Sequence, residues 1–344
     1  MNKKRWFAVG LAIIIFAVSF IVPSYKPEEE DIGLILEKML PYGPFKTGSS
    51  QIVESVIEQG SSGDKIAKIV LDGTITSAAP SALGATGYDH EFFMSQLDSI
   101  DKDPNIKGIL FIVNSPGGGV YESAMIRDKI LEIKSHKDIP IYVSMQQVAA
   151  SGGYYVSAPA DKIFATEETW TGSIGVIIQS MNFDGLFKKY GIGVNTIKSG
   201  ASKDMGSPFR EWNDSDREIF QNLVDNSYEK FVNVVAEGRN MDPKKVKKIA
   251  DGRIYDGIQA LENGLVDGIG YKEDVLEALK NDNDLNSASI IEYRNVKPPT
   301  FYDLIMTSKA KITGNLDPTL MQLQSILANH GNDTPRLMYL YGGE

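Results

Sequence analysis

The chain has no cysteine and only three histidines in 344 residues. Without thiols there is no disulfide, no thiol nucleophile and no cysteine-ligated zinc, and the redox compartment stays open. His90, His136 and His330 each stand in a polar stretch away from any glycine turn, so a Ser-His-Asp triad has no well-placed base. Basic charge is also in short supply: 35 Lys and Arg face 45 Asp and Glu, a formal net charge of -10. Broad nucleic-acid binding is excluded, because phosphate contacts need clustered cations. There is no internal repeat at solenoid periods.

Long hydrophobic runs are absent except at the amino terminus, where Lys3, Lys4 and Arg5 precede an uncharged, mostly apolar run from Trp6 to Val22. The positive charges predict a retained single-pass membrane anchor with a cytoplasmic tip and everything after Pro23 extracytoplasmic. A cleaved signal peptide is the competing reading, with Val22 and Ser24 as the small pair before the cut. Residues 1–25 are therefore read as tip and anchor. Residues 26–63, with the acidic Glu28 to Asp31 patch, Pro41, Pro44 and a Gly/Ser-rich run, read as a stalk bearing one short helix near Ile32 to Met39.

From residue 64 the pattern is α/β. Strands are predicted at Lys65–Ile75, Gly108–Val113, Ile141–Ser144, Lys162–Ala165, Thr171–Ile178, Val194–Ile197 and Ile290–Tyr293. Helical spacing covers His90–Ile100, the stretch after Gly119 to about Lys134, Asn182–Tyr190, Asp242–Asp251, Gly257–Asn263 and Val275–Leu279. Ser215-Asp216-Arg217-Glu218 reads as a capping box opening a long helix through Val235. Strand, glycine loop, helix, strand is the rhythm of a parallel sheet. Ser77 to Gly87 and Lys198 to Pro208 read as loops.

The chemistry centres on Ser151, in Ala149-Ala150-Ser151-Gly152-Gly153 after a buried strand. Small neighbours let the backbone turn sharply and leave the hydroxyl at the positive end of a helix, where it could attack a carbonyl. The plainer reading is a helix cap. Asn114 to Gly119 (NSPGGG) can expose backbone amides as an oxyanion hole, with Gly118 the first donor and the N–H of Gly152 a second; the same glycines also suit an ordinary tight turn. A lysine base would need its pKa lowered from about 10.4 toward 7 or 8. Lys203, in SGASKDMGSP, is placed like a site residue, though a solvated loop lysine looks the same. Ser173, in Thr171-Gly172-Ser173-Ile174-Gly175, could orient that amine or simply bond its own backbone.

Five stretches in this order resemble one family: NSPGGG from Asn114, ASGGYY from Ala150, TGSIGV from Thr171, Lys203-Asp204 with Ser207-Pro208-Phe209-Arg210, and Asp251-Gly252-Arg253 with Gly264-Leu265-Val266-Asp267. The chain is similar to the signal peptide peptidase A family in its short, single-domain form, membrane-anchored Ser/Lys proteases of the Clp protease/crotonase superfamily. The resemblance implies a ββα superhelix over residues 64–283, Ser151 as nucleophile, Lys203 as general base, Ser173 as the lysine-orienting hydroxyl and Gly118 as oxyanion donor. It implies no metal and no cofactor. Its substrates would be apolar remnants of signal peptides, bound extended in a groove. Longer relatives carry serine and lysine in different tandem copies; with one copy here, the resemblance implies a homo-oligomeric ring in which Ser151 meets the Lys203 of a neighbour. Two other classes remain in play, an acyl-CoA hydratase or isomerase of the same fold and a catalytically dead membrane scaffold. Residues 284–344 are an extension ending in Pro335-Arg336-Leu337-Met338-Tyr339-Leu340-Tyr341, either a small strand docked on the body or a segment that enters the peptide groove.

Overall fold

The computed structural model describes residues 51–77, 87–296 and 337–341. The expected anchor at Trp6–Val22, the stalk helix at Ile32–Met39, His330 and most of the Ser77 to Gly87 loop lie outside these residues. Among the described residues no helix is long and apolar enough to cross a membrane.

The fold is mixed α/β around a largely parallel sheet. Its order is β1 (Gln51–Glu58), β10 (Ser289–Val296), β2 (Lys65–Asp72), β3 (Ile106–Ser115), β5 (Ile141–Ala150), β6 (Lys162–Ala165) and β9 (Gly268–Ile269). Beyond the path, β7 (Trp170–Gly172) pairs in parallel with β5 and antiparallel with β8 (Ile254–Tyr255). β1 runs antiparallel to β10, and the central pairs are parallel.

Alternation along the central strands splits the core in two. Ile109, Phe111 and Val113 of β3, with Ile141, Val143 and Met145 of β5, face a large cluster. That cluster is closed by α1 (His90–Lys102), α2 (Val120–Lys137) and α5 (Asp214–Gly238). Leu110, Ile112 and Tyr142 face the other way, onto Val275 and Leu279 of α8 (Lys272–Asp282). Each such buried aliphatic side chain stabilises by about 1.5–3 kcal/mol, so β3 and β5, buried on both faces, are the rigid centre of the molecule.

Several boundaries differ from those read in the sequence. The folded unit takes in Gln51–Val296 together with the tail strand Met338–Leu340, wider than residues 64–283, because Gln51–Glu58 lies in the sheet against β10 rather than in a stalk. β5 continues past Ser144 to Ala150, so the central strand leads straight into Ser151. Thr171–Ile178 is a strand only as far as Gly172, and Val194–Ile197 is not a strand: those four residues are exposed and have no ladder partner among the described residues. An apolar run alone does not make a strand when no sheet edge is in reach. The long helix is capped two residues earlier than expected, by Asn213 accepting from Asp216 N–H while the Asp216 carboxylate accepts from Asn213 N–H.

Candidate active site

Ser151 is the single residue between β5 and α3 (Gly152–Ser157). Its backbone sits at φ 54 and ψ -115, a conformation that costs a non-glycine residue about 1–3 kcal/mol. Two backbone hydrogen bonds hold it there: Ser151 N–H donates to Gly172 C=O at 2.8 Å, and Tyr155 N–H donates to Ser151 C=O at 2.8 Å. The side chain makes no capping bond, so the helix-cap reading fails. The following glycines are required by packing. A Cβ on Gly152 would lie 2.8 Å from Ser123 Oγ, and one on Gly153 would lie 2.7 Å from the Ser115 carbonyl oxygen.

The NSPGGG loop supplies β4 (Gly117–Gly119), and its hydrogen bonding shows which way each amide points. Gly117 N–H donates to Ser115 Oγ at 3.1 Å. Gly117 C=O and Gly119 N–H are both taken by Ile75, at 2.8 Å each. The Gly118 N–H therefore faces the opposite side, where β11 (Met338–Leu340) pairs antiparallel with Tyr339 in register with Gly118. Flanking bonds run from Val120 N–H to Leu337 C=O at 3.4 Å and from Tyr341 N–H to Pro116 C=O at 2.8 Å. Two-residue alternation makes Gly118 and Tyr339 the hydrogen-bonded pair between them.

Gly117, at φ +99, is the residue that lets this happen, and the sequence reading passed over it. A Cβ there would stand 2.0 Å from the Tyr339 carbonyl oxygen and 2.5 Å from Gly152 N. A carbonyl oxygen thus shares one small space with the amides of Gly118 and Gly152, the pair named as oxyanion donors from the sequence.

The tail strand is held on its other edge too. Met338 exchanges two 3.1 Å backbone bonds with Ile177. Its Tyr339 side chain is fully buried, stacked on Tyr155 at 4.8 Å and packed 4.7 Å from Phe231, with its hydroxyl donating to Ser227 C=O at 3.1 Å. Burial pushes the Tyr339 phenol pKa up, so the hydroxyl stays protonated as a donor. Tyr341, on the same face two residues on, meets Trp170 edge to face at 6.2 Å. The sequence analysis did not single out Tyr155 and Phe231 as the lining of this groove, because their convergence depends on the tail strand.

Ser173 lies one step past Gly172, whose carbonyl anchors Ser151. It is buried at φ 47, with its N–H donated to Arg253 C=O at 2.8 Å, and it borders a cleft of about 550 Å³ with Val176, Ile177, Asp225, Tyr228 and Asp251. Lys203 is elsewhere. It sits exposed in the turns of an arm spanning residues 178–213, and no hydrogen bond or ion pair joins it to Ser151 or Ser173 within the chain. The arm is braced by Arg210, which donates to Asp204 at 2.9 Å and to the buried Asp216. Several of its apolar residues are open to solvent: Ile197 is 101% exposed, with Leu186, Tyr190 and Ile192 also exposed.

Neither described histidine hydrogen-bonds Ser151. His136 pairs with Asp101 at 3.0 Å beside Ile106 and Pro140, at the amino ends of β3 and β5, whereas Ser151 follows their carboxyl ends. His90 bonds the Tyr88 hydroxyl at 2.6 Å, and burial lowers its pKa. Asp101, Glu132 and His136 could converge on a metal ion, but the Lys129 ammonium already bridges Asp101 at 3.1 Å and Glu132 at 3.2 Å.

The sequence pattern of peptidase family S49 matches residues 133–286. A protein of Enterococcus faecium named for signal peptide peptidase SppA is 46% identical over 347 residues, covering all of both chains. Protease 4 of Salmonella typhi is 30% identical over 266 residues, 77% of this chain and 41% of its own. The chloroplastic serine protease SPPA of Arabidopsis thaliana is 29% identical over 244 residues, 70% of this chain and 36% of its own.

Proposed function

Since this chain belongs to peptidase family S49 and is a serine peptidase, we propose that it degrades remnant signal peptides at the membrane with a Ser151/Lys203 dyad. The acyl-CoA hydratase and dead-scaffold readings give way to this family membership. The observation that carries the proposal is the tail strand: an extended peptide inserted between Gly117–Gly119 and Ile177, with the Tyr339 carbonyl against the Gly118 and Gly152 amides. A substrate bound in the same way gains backbone hydrogen bonds whatever its sequence, and an apolar or aromatic side chain gains the Tyr155 and Phe231 surface.

The chemistry then follows. Lys203, as the free amine, takes the Ser151 hydroxyl proton while Oγ bonds to the scissile carbonyl carbon. Negative charge on that oxygen is met by the two glycine amides. As the C–N bond breaks, the lysine returns its proton to the leaving amine, and water hydrolyses the acyl-serine with the lysine again as base.

The lysine comes from an adjoining subunit in this reading. What supports it is the exposed, apolar, Lys203-bearing arm and the half-open cleft beside Ser173, two surfaces that a ring of Clp/crotonase-like superhelical subunits would bury against each other. The amino-terminal run from Trp6 to Val22 would anchor the ring with its catalytic face outside the cytoplasm. Hydrolysis of an apolar peptide by the wild type, with a loss of at least about a thousandfold in Ser151→Ala and in Lys203→Ala, is the expected result. Full activity in either variant would refute the dyad.

A further inference from the structure

Ser123 lies in the N-terminal part of α2, directly behind the glycine loop, and is fully buried. Its Oγ has no hydrogen-bond partner among the described residues. A serine inside a helix commonly returns its hydroxyl to the carbonyl three or four residues back, and this one does not. Two neighbouring serines are satisfied: Ser115 Oγ accepts from Gly117 N–H at 3.1 Å, and Ser157 Oγ donates to Gly153 C=O at 2.7 Å.

The place of the unused hydroxyl is specific. Ser123 Oγ stands 2.8 Å from where a Cβ on Gly152 would be, and that same point is 3.0 Å from Gly117 Cα and 3.1 Å from Gly118 N. Its Oγ therefore packs against Gly152, next to the Gly117–Gly118 backbone. A buried hydroxyl without an acceptor lowers stability, which a purely structural role does not explain.

We propose that Ser123 is a positioning residue of the oxyanion hole. Its hydroxyl dipole has no acceptor in the ground state and turns its positive end toward the oxyanion as the carbonyl becomes tetrahedral. Its contact at Gly152 keeps the Gly118 and Gly152 amides aimed at that charge. The proposal rests on the reading of these glycines as oxyanion donors for Ser151.

The test uses the full-length chain. Ser123→Ala is expected to lower kcat about tenfold with KM changed less than about twofold, to weaken a peptide boronic acid by the same factor as kcat, and to leave Tm unchanged or raised. Ser123→Cys fills the space with a poor donor and is expected to be as slow as Ser123→Ala. An unchanged kcat in Ser123→Ala overturns the proposal. So does a full recovery in Ser123→Cys, or a loss of rate that tracks a loss of Tm, since either makes the residue a space-filler. If Ser123→Ala is normal while Ser151→Ala is dead, this inference alone fails; if Ser151→Ala keeps its activity, the nucleophile assignment fails with it.

Discussion

The carbonyl oxygen of Tyr339 and the amide nitrogen of Gly152 lie 2.0 and 2.5 Å from the point that a Cβ on Gly117 would occupy. The chain thus places its own carboxyl-terminal strand where the dyad reading puts a scissile peptide, with the carbonyl of Tyr339 at the oxyanion donors. Two consequences follow, one for the tail and one for the glycine.

A tail held this way competes with substrate. Truncation before Leu337, or Tyr339→Ala, which empties the Tyr155 and Phe231 pocket, should lower the KM for an added apolar peptide by at least roughly tenfold. Intact mass should show wild-type chains shortened at the Tyr339 carbonyl and Ser151→Ala chains at full length. Identical full-length tails in both, with unchanged KM after truncation, would make the strand a structural appendage only.

Gly117→Ala should cost about 10²–10³ in kcat, because a methyl group there fills the space shared by the carbonyl oxygen and Gly152 N and also faces a positive φ. Retained fold by circular dichroism with lost turnover is the expected pair of results. A variant with wild-type kcat would show that the oxyanion lies elsewhere.

What could be read from the sequence was local chemistry with strong pattern. The sharp turn at Ser151-Gly152 and the close backbone approach at Gly118 were identifiable because such positions demand small residues, and the strands of β3 and β5 because burial on both faces demands an unbroken apolar run. What could not be read depends on distant partners. Gln51–Glu58 became a strand only because Ser289–Val296 offers it an edge, and Val194–Ile197 did not because nothing does. Gly117 hid among three glycines whose separate tasks appear only once Ile75 and Tyr339 stand on opposite sides of them.

The arm carrying Lys203 should be sensitive to acid. Arg210, with Lys198, holds the Asp204 carboxyl down at about 2, and Arg210 also lowers that of Asp216. Because these folded-state values are depressed, their stabilisation is present above the ordinary carboxylate range near 4 and is lost as pH falls toward about 2. Arg210→Gln should remove much of that acid-dependent loss and lower Tm near neutrality by roughly 3 °C or more, since the Asp216 carboxylate is left buried without its cation. Melting curves from pH 6 to 2 for both proteins check it, and parallel curves would show that the cluster is electrostatically idle.

The central claim is that the nucleophile and its base meet across a subunit boundary, and co-assembly of two inactive proteins tests it most directly. Ser151→Ala subunits keep Lys203 and Lys203→Ala subunits keep Ser151, so a randomly mixed ring should rebuild about a quarter of its sites. Recovery of peptide hydrolysis toward that fraction on mixing is the predicted result. A mixed assembly no more active than either parent, in particles shown to contain both chains, would contradict the account.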